Sequence, residues 1–131
     1  MKKFLIMMVV GALVTTLLSF ATQNDPWPVP EKYQKMVNPV KADAASLATG
    51  KELWAKHCQS CHGKKGKGDG SKAAQLDTDP GDFSKAEFHK QTDGALFYKT
   101  FEGRKDMPSF KKKITDADEI WAVVNFMRTM K

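Results

Sequence analysis

Two cysteines and the histidine that follows them constrain this chain more than any other feature. Cys58, Cys61 and His62 form a C-x-x-C-H run, and these two cysteines are the only ones among the 131 residues. This run is the attachment signature of a c-type haem. Each thiol can bond one haem vinyl group, and the histidine is then held where it can ligate the iron. We therefore expect one covalently attached haem c, with His62 as an iron ligand.

Three other uses of the same residues fit the sequence less well. A structural zinc site usually has four Cys or His ligands, whereas the chain has no second cysteine pair, and His57 and His89 lack the H-x3-5-H spacing. A thioredoxin-like dithiol requires a βαβ context, and no strong strand pattern lies near the motif. A disulfide across two residues would close a small loop and constrain little of the unfolded chain.

Residues 1–21 have the pattern of an export signal. Lys2 and Lys3 form a short basic region, and the segment from Phe4 to Phe20 that follows it is almost wholly apolar. Ser19 and Ala21 are small residues at the two positions that a signal peptidase recognises. An uncleaved membrane anchor stays open as an alternative, because residues 4–21 approach the shortest length that spans a bilayer. Either alternative predicts an exported, periplasmic protein, soluble or tethered to the outer face of the inner membrane.

The charge of the chain indicates the kind of partner that it binds. Removal of residues 1–21 takes away two lysines and no acidic residue, so the formal net charge falls from +6 to +4. This moderate charge, without a basic helix or a recognised module, argues against nucleic-acid binding. It fits weak docking to an acidic partner protein.

Residues 22–43 are predicted to be a proline-containing linker or arm. The prolines of the segment 25–30 favour extended backbone and cannot continue a helix. Two interpretations remain open at this point. The segment is either a solvated tether that holds the domain off the membrane, or an arm that packs on the domain or a partner through Trp27, Tyr33 and Met36.

Residues 44–131 are predicted to fold as one all-α domain of three to four short helices. The first helix runs from about 44 to 56 with Asp43 as its cap, a second from about 93 to 101, and the last from about 117 to between 128 and 130. A folded region of about 90 residues has little core of its own. A haem would supply a large apolar plate for these helices to pack around.

We assign the second axial position on the iron to Met107. This residue lies in a loop 45 positions after His62, and Pro108 stiffens the turn that presents it. A thioether opposite a histidine raises the reduction potential of the iron. The methionines of the last helix are interpreted as core filler. His89 is a rival ligand, although its charged neighbours favour an exposed side chain.

The region from about 47 to 130 resembles the class I monohaem cytochromes c of the short, exported bacterial type. Gly50 and Trp54 precede the cysteine motif in the family's G-x3-aromatic-x3-C-x-x-C-H pattern, although Trp54 is bulkier than the usual Phe or Tyr. Val123 and Phe126 resemble the paired apolar and aromatic residues of the family's last helix. The resemblance implies the class I cytochrome c fold, in which the first and last helices cross at the glycine.

Further site residues follow from the same resemblance. Residues 93–99 and 103–110 resemble the segment that leads to the axial methionine in short bacterial members. Pro80 lies where the family often places a proline whose carbonyl accepts the N–H of the histidine ligand. Such a bond fixes the orientation of the ring and tunes the iron. The resemblance therefore implies cofactor contacts at Cys58, Cys61 and Pro80.

The resemblance implies an electron carrier rather than an enzyme. Its activity would be one-electron, outer-sphere transfer with both axial ligands retained, in a respiratory or related redox chain. The expected partners are redox proteins, either acidic or membrane-bound oxidoreductases. A positive rim that steers such partners is predicted from the basic residues near the two ligands: Lys64, Lys65, Lys67, Lys72, Arg104, Lys105 and Lys111–Lys113.

Two other functions stay open on sequence grounds. An open or labile sixth position would allow an enzyme or a gas sensor, but no acid–base pair is evident near Met107. A dedicated subunit of a larger respiratory or dissimilatory complex would have the same chemistry, with the segment 22–43 as an interface.

Overall fold

The computed structural model describes residues 26–131. The predicted signal or anchor in residues 1–21 lies outside the described residues. None of the helices between residues 26 and 131 is both long and apolar enough to cross a bilayer.

Helices make up the secondary structure of the described chain, which confirms the all-α prediction. Three helices have ten or more residues, and single-turn helices surround them. The six α-helices are α1 (Glu31–Gln34), α2 (Ala44–His57), α3 (Gln59–His62), α4 (Ala86–His89), α5 (Asp93–Glu102) and α6 (Ala117–Met127), and a 3-10 turn spans Ala73–Gln75.

Local capping explains where the three longer helices begin. The Asp43 carboxylate accepts a hydrogen bond from the Ser46 backbone N–H at 3.0 Å, and the Ser46 hydroxyl accepts one from the Asp43 N–H at 3.2 Å. This capping box satisfies two backbone donors at the start of α2. Thr92 caps α5 and Asp116 caps α6 through their side-chain oxygens. These helices lie within a few residues of their predicted bounds.

The core is centred on the crossing of α2 and α6. Gly50 permits this crossing, because a Cβ atom at this position would lie 2.7 Å from the carbonyl carbon of Ala122 and closer still to its oxygen. Val123 and Val124 beside this point are completely buried. The sequence expectation that another helix passes close to Gly50 is therefore met by α6.

Helix α5 packs against α6 on the other side of the core. The rings of Phe97 and Trp121 are stacked with their centroids 4.2 Å apart. Stacked aromatic pairs add to the stabilisation that burial already gives. The loop after α5 returns to this helix, since the Phe110 N–H donates to the Thr100 carbonyl at 3.3 Å.

The described part of the segment 22–43 packs on the domain. The Tyr33 ring lies 4.7 Å from the ring of Tyr98 on α5. The Asn38 amide donates to Oδ1 of the buried Asn125 at 2.8 Å, and the Asn125 amide donates to the Val40 carbonyl at 3.0 Å. Tyr33, Asn38 and Val40 of this segment therefore contact the domain, whereas the Met36 side chain is exposed.

Candidate haem site

One cavity brings together all the site residues predicted from the sequence. It has an empty volume of about 830 Å³, part of which is open to solvent. Much of its remaining lining is apolar, and a mainly apolar cleft with a few placed polar groups is typical of a cofactor site. The predicted residues on its wall are Cys58, Cys61, His62, Pro80 and Met107.

The end of α2 and the short helix α3 place the three motif residues together. The His62 N–H donates to the Cys58 carbonyl at 3.0 Å, so the chain makes one helical turn between them. Residues three and four positions apart lie on the same face of such a turn. Both thiols and the imidazole therefore point toward one region, which is the cavity.

The environment of the two cysteines differs from that of a redox dithiol. Cys58 is buried and Cys61 is partly buried. Burial, with a smaller contribution from the neighbouring Cys61, raises the pKa of Cys58 to about 12. Reactive C-x-x-C dithiols have lowered thiol pKa values. Cys58 thus lacks the lowered thiol pKa that activates a thioredoxin-like cysteine.

His62 is held in one orientation and one tautomer. Its Nδ1 lies 3.0 Å from the Pro80 carbonyl oxygen. Because a carbonyl only accepts, Nδ1 carries the proton and the lone pair on Nε2 is available for a metal. Burial lowers the pKa of His62, and the Pro80 hydrogen bond partly opposes this change. Burial therefore favours the neutral imidazole, which is the form that binds a metal.

Aromatic rings surround this histidine. The ring of Phe83 lies 4.9 Å from the His62 ring, and the ring of Trp54 lies 5.7 Å from it. Trp54 is itself fixed, since its indole N–H donates to the Gly63 carbonyl at 3.1 Å. The bulkier residue at position 54 thus packs against both the helix crossing and the histidine.

Met107 is presented by a tight turn after α5. The Arg104 N–H donates to the Met107 carbonyl at 2.8 Å, and the Met107 N–H donates back to the Arg104 carbonyl at 3.0 Å. Gly103 ends α5 with φ at 69°, a conformation that L side chains rarely adopt. A Cβ at Gly103 would also lie 2.5 Å from the Met107 carbonyl oxygen.

A polar bridge joins the Met107 turn to the segment that carries Pro80. The Asp106 carboxylate accepts hydrogen bonds from the Thr78 backbone N–H at 2.9 Å and from the Thr78 hydroxyl at 2.7 Å. These bonds lower the pKa of Asp106, the hydroxyl bond contributing most. Sequence reasoning did not identify this pair, and no local signal links residues so far apart in the chain.

The other histidines and methionines have different positions. His89 is half-buried, and its Nε2 lies 2.8 Å from the Met130 carbonyl oxygen, so the expectation of an exposed side chain is wrong. It does not line the cavity, whereas His57 does. Burial and the nearby Lys56 and Lys113 lower the pKa of His57.

The methionines of the C-terminal segment are both buried, as their interpretation as core filler requires. Met127 lines the cavity from α6, and Met130 packs in the core beside the glycine-rich segment that follows His62. Met127 is therefore a second thioether near the proposed ligand, Met107.

The predicted rim residues fall into two groups. The lysines that follow the motif at 64, 65, 67 and 72 are exposed. In the second group, Lys111 forms an ion pair with Glu102 at 2.7 Å, and the Lys113 ammonium lies 5.4 Å from the centroid of the Phe110 ring. The first group therefore carries the more available positive charge.

The residues of this cavity fit a covalently attached haem. The wall offers two neighbouring thiols, an oriented imidazole with a free Nε2, a thioether and a mainly apolar surface. His62 and Met107 would hold the iron, and Cys58 and Cys61 would hold the vinyl groups.

Comparisons with known proteins give the family and the fold of this chain. The family model described as cytochrome C oxidase, cbb3-type, subunit III matches residues 45–127. A chain of the reducing HAO-like protein complex of Kuenenia stuttgartiensis has a similar fold, with a TM-score of 0.65 and 23% sequence identity. That similarity covers 82% of this chain and 52% of the other, so this chain spans about half its length. No curated protein matches the chain significantly.

Proposed function

Because this chain belongs to the family described as cytochrome C oxidase, cbb3-type, subunit III, we propose that it is an electron carrier with one covalent haem c. It is a class I monohaem cytochrome c, and this family of c-type cytochrome domains implies haem-based electron transfer. In this proposal, His62 and Met107 would be the axial ligands of the iron. The protein would transfer single electrons by an outer-sphere route, and it would not be an enzyme.

The single observation that carries this proposal is the shared cavity. Cys58, Cys61, His62 and Met107 come from two segments of the sequence, yet all four line the same cavity. The iron of a bound haem supplies a reversible one-electron couple. The residues around the iron set the reduction potential of that couple.

The chain's own residues tune and hold this site. An apolar wall disfavours added positive charge, and a thioether ligand favours the reduced metal, so both raise the reduction potential. The Pro80 carbonyl fixes the His62 ring. The Asp106–Thr78 bridge holds the Met107 turn against the Pro80 segment. Since both ligand segments are tied down, little has to move when the charge changes.

The mass and visible spectrum of the protein purified from its native envelope test this proposal. We expect a red, low-spin protein whose polypeptide mass is increased by one haem, and which shows the sulfur-to-iron charge-transfer band. Replacement of both cysteines, Cys58→Ser with Cys61→Ser, should remove the mass increase. A colourless wild-type protein with two free thiols would refute the proposal. The same mass reports whether residues 1–21 are removed.

We further propose that the protein acts outside the cytoplasm, next to a larger oxidoreductase. The export pattern of residues 1–21 supports this location. The family is named after a subunit of an oxidase, and the similar solved chain belongs to a protein complex. Both names support a multisubunit redox partner. Co-purification in mild detergent distinguishes a stable subunit from a free shuttle.

The exposed lysines after the motif are expected to steer an acidic partner. Electron-transfer rates should therefore fall as ionic strength rises, because salt screens charges separated by more than about 8–10 Å. Replacing Lys64 and Lys65 with glutamine should lower the rate at low salt and flatten its salt dependence. Lys51→Gln, on the exposed face of α2, is the matched control. Rates that do not change with salt would contradict steering.

A further inference from the structure

The arm contributes one side chain to the wall of the cavity. Among the described arm residues 26–43, Trp27 alone lines it, together with Met107, Arg104 and Pro108 from the turn after α5. The indole is half-buried. It therefore lies between solvent and the part of the cavity that Met107 borders.

Two cations hold the indole in this place. The Arg104 guanidinium lies 4.9 Å from the Trp27 ring centroid, and the Lys99 ammonium lies 5.5 Å from it. Cations at such distances from an indole face are attracted by the ring quadrupole. Arg104 also donates from Nη1 to the Pro26 carbonyl at 2.9 Å. The backbone immediately before Trp27 is thus tied to the turn, as is its ring.

Arg104 connects the indole directly to the proposed ligand. Its side chain contacts Pro26 and Trp27, while its backbone pairs twice with Met107. Lys99 is positioned in turn by Gln91, whose Oε1 accepts its hydrogen bond at 2.5 Å. The ring, the two cations and the methionine turn therefore form one connected unit at the cavity.

We propose that the Trp27 indole closes the cavity beside Met107. It would thereby limit the access of water and small ligands to the sixth coordination position of the iron. This inference rests on the proposed haem site. The arm is anchored further along by Tyr33 and Asn38. Among the described residues, only 26–32 therefore have to be released to open the cavity.

Carbon monoxide binding to the reduced holoprotein tests this role. With Trp27→Ala, we expect carbon monoxide to associate about tenfold faster, because opening no longer has to break the two cation–ring contacts. Trp27→Phe keeps a ring for both cations and should stay close to the wild-type rate. Arg104→Leu keeps the indole but removes its anchor, and it should give an intermediate acceleration. Met36→Ala, in an exposed part of the arm, should change nothing.

A second background separates this role from ligation by Met107. In the Met107→Ala protein, no sulfur has to leave the iron before carbon monoxide binds. Adding Trp27→Ala to this protein therefore reports only how easily carbon monoxide enters the cavity. Faster binding in the double variant than in Met107→Ala supports the closing role. If carbon monoxide associated at the same rate with and without the indole, both in the wild-type and in the Met107→Ala protein, the closing role of Trp27 would be wrong. A wild-type protein that lacks the sulfur-to-iron band would contradict Met107 ligation, while the double-variant comparison would still decide the role of Trp27.

Discussion

Replacing Gly50 with alanine is expected to lower the free energy of unfolding of the holoprotein by about 1–3 kcal/mol, although alanine is the better helix former. The new methyl group would overlap the Ala122 carbonyl and lie 2.9 Å from Cβ of Phe126. Backbone atoms cannot turn aside, so α2 and α6 would have to separate. Separation would also move Trp54, which packs against His62.

Denaturant unfolding followed by circular dichroism measures this effect. Thr49→Ala is the matched control, because Thr49 precedes Gly50 on α2 and is exposed. Its stability should stay within about 0.5 kcal/mol of the wild type. If Gly50→Ala were as stable as this control, the two helices would not be in the close contact described above.

Replacing Met107 with leucine is expected to abolish the sulfur-to-iron charge-transfer band and to lower the reduction potential. We expect a fall of more than about 60 mV, the change that alters a one-electron equilibrium constant tenfold. Leucine and methionine have similar volumes, so the packing of the turn should be largely kept. The loss would therefore report the missing sulfur rather than a collapsed cavity.

Met127→Leu is the matched control for this experiment. Met127 also lines the cavity, but it lies on α6 in the buried core. Its replacement should leave the band and the potential almost unchanged. If instead Met107→Leu kept the wild-type spectrum, another side chain would hold the sixth position. Met127, the second thioether that lines the cavity, would then be the candidate, and its replacement rather than that of Met107 would remove the band.

Features encoded by neighbouring residues were predictable from the sequence. Asp43, Thr92 and Asp116 act on backbone groups within three residues of themselves, so the starts of the longer helices could be read directly. The C-x-x-C-H motif is local in the same sense. Gly50 indicated a close helix crossing because a glycine inside a helix is costly without a packing reason.

Features that depend on distant residues could not be predicted in the same way. The environment of His89 is set by the Met130 carbonyl, 41 residues away, and not by the charged residues beside it. The Thr78–Asp106 bridge spans 28 residues. Each of these contacts forms only when the helices have packed, so their sequence neighbours carry no sign of them.

The amide network between the arm and α6 extends the packed core beyond the family's matched region. Asn125 is only 6% exposed, and its side chain exchanges hydrogen bonds with Asn38 and with the Val40 carbonyl. A polypeptide that begins at residue 44 would keep the family's matched region but lose two of the partners of this amide, and only its bond to the Ser46 hydroxyl would remain. We therefore expect the cooperative folding unit to reach back at least to Asn38, beyond the first residue that the family match includes.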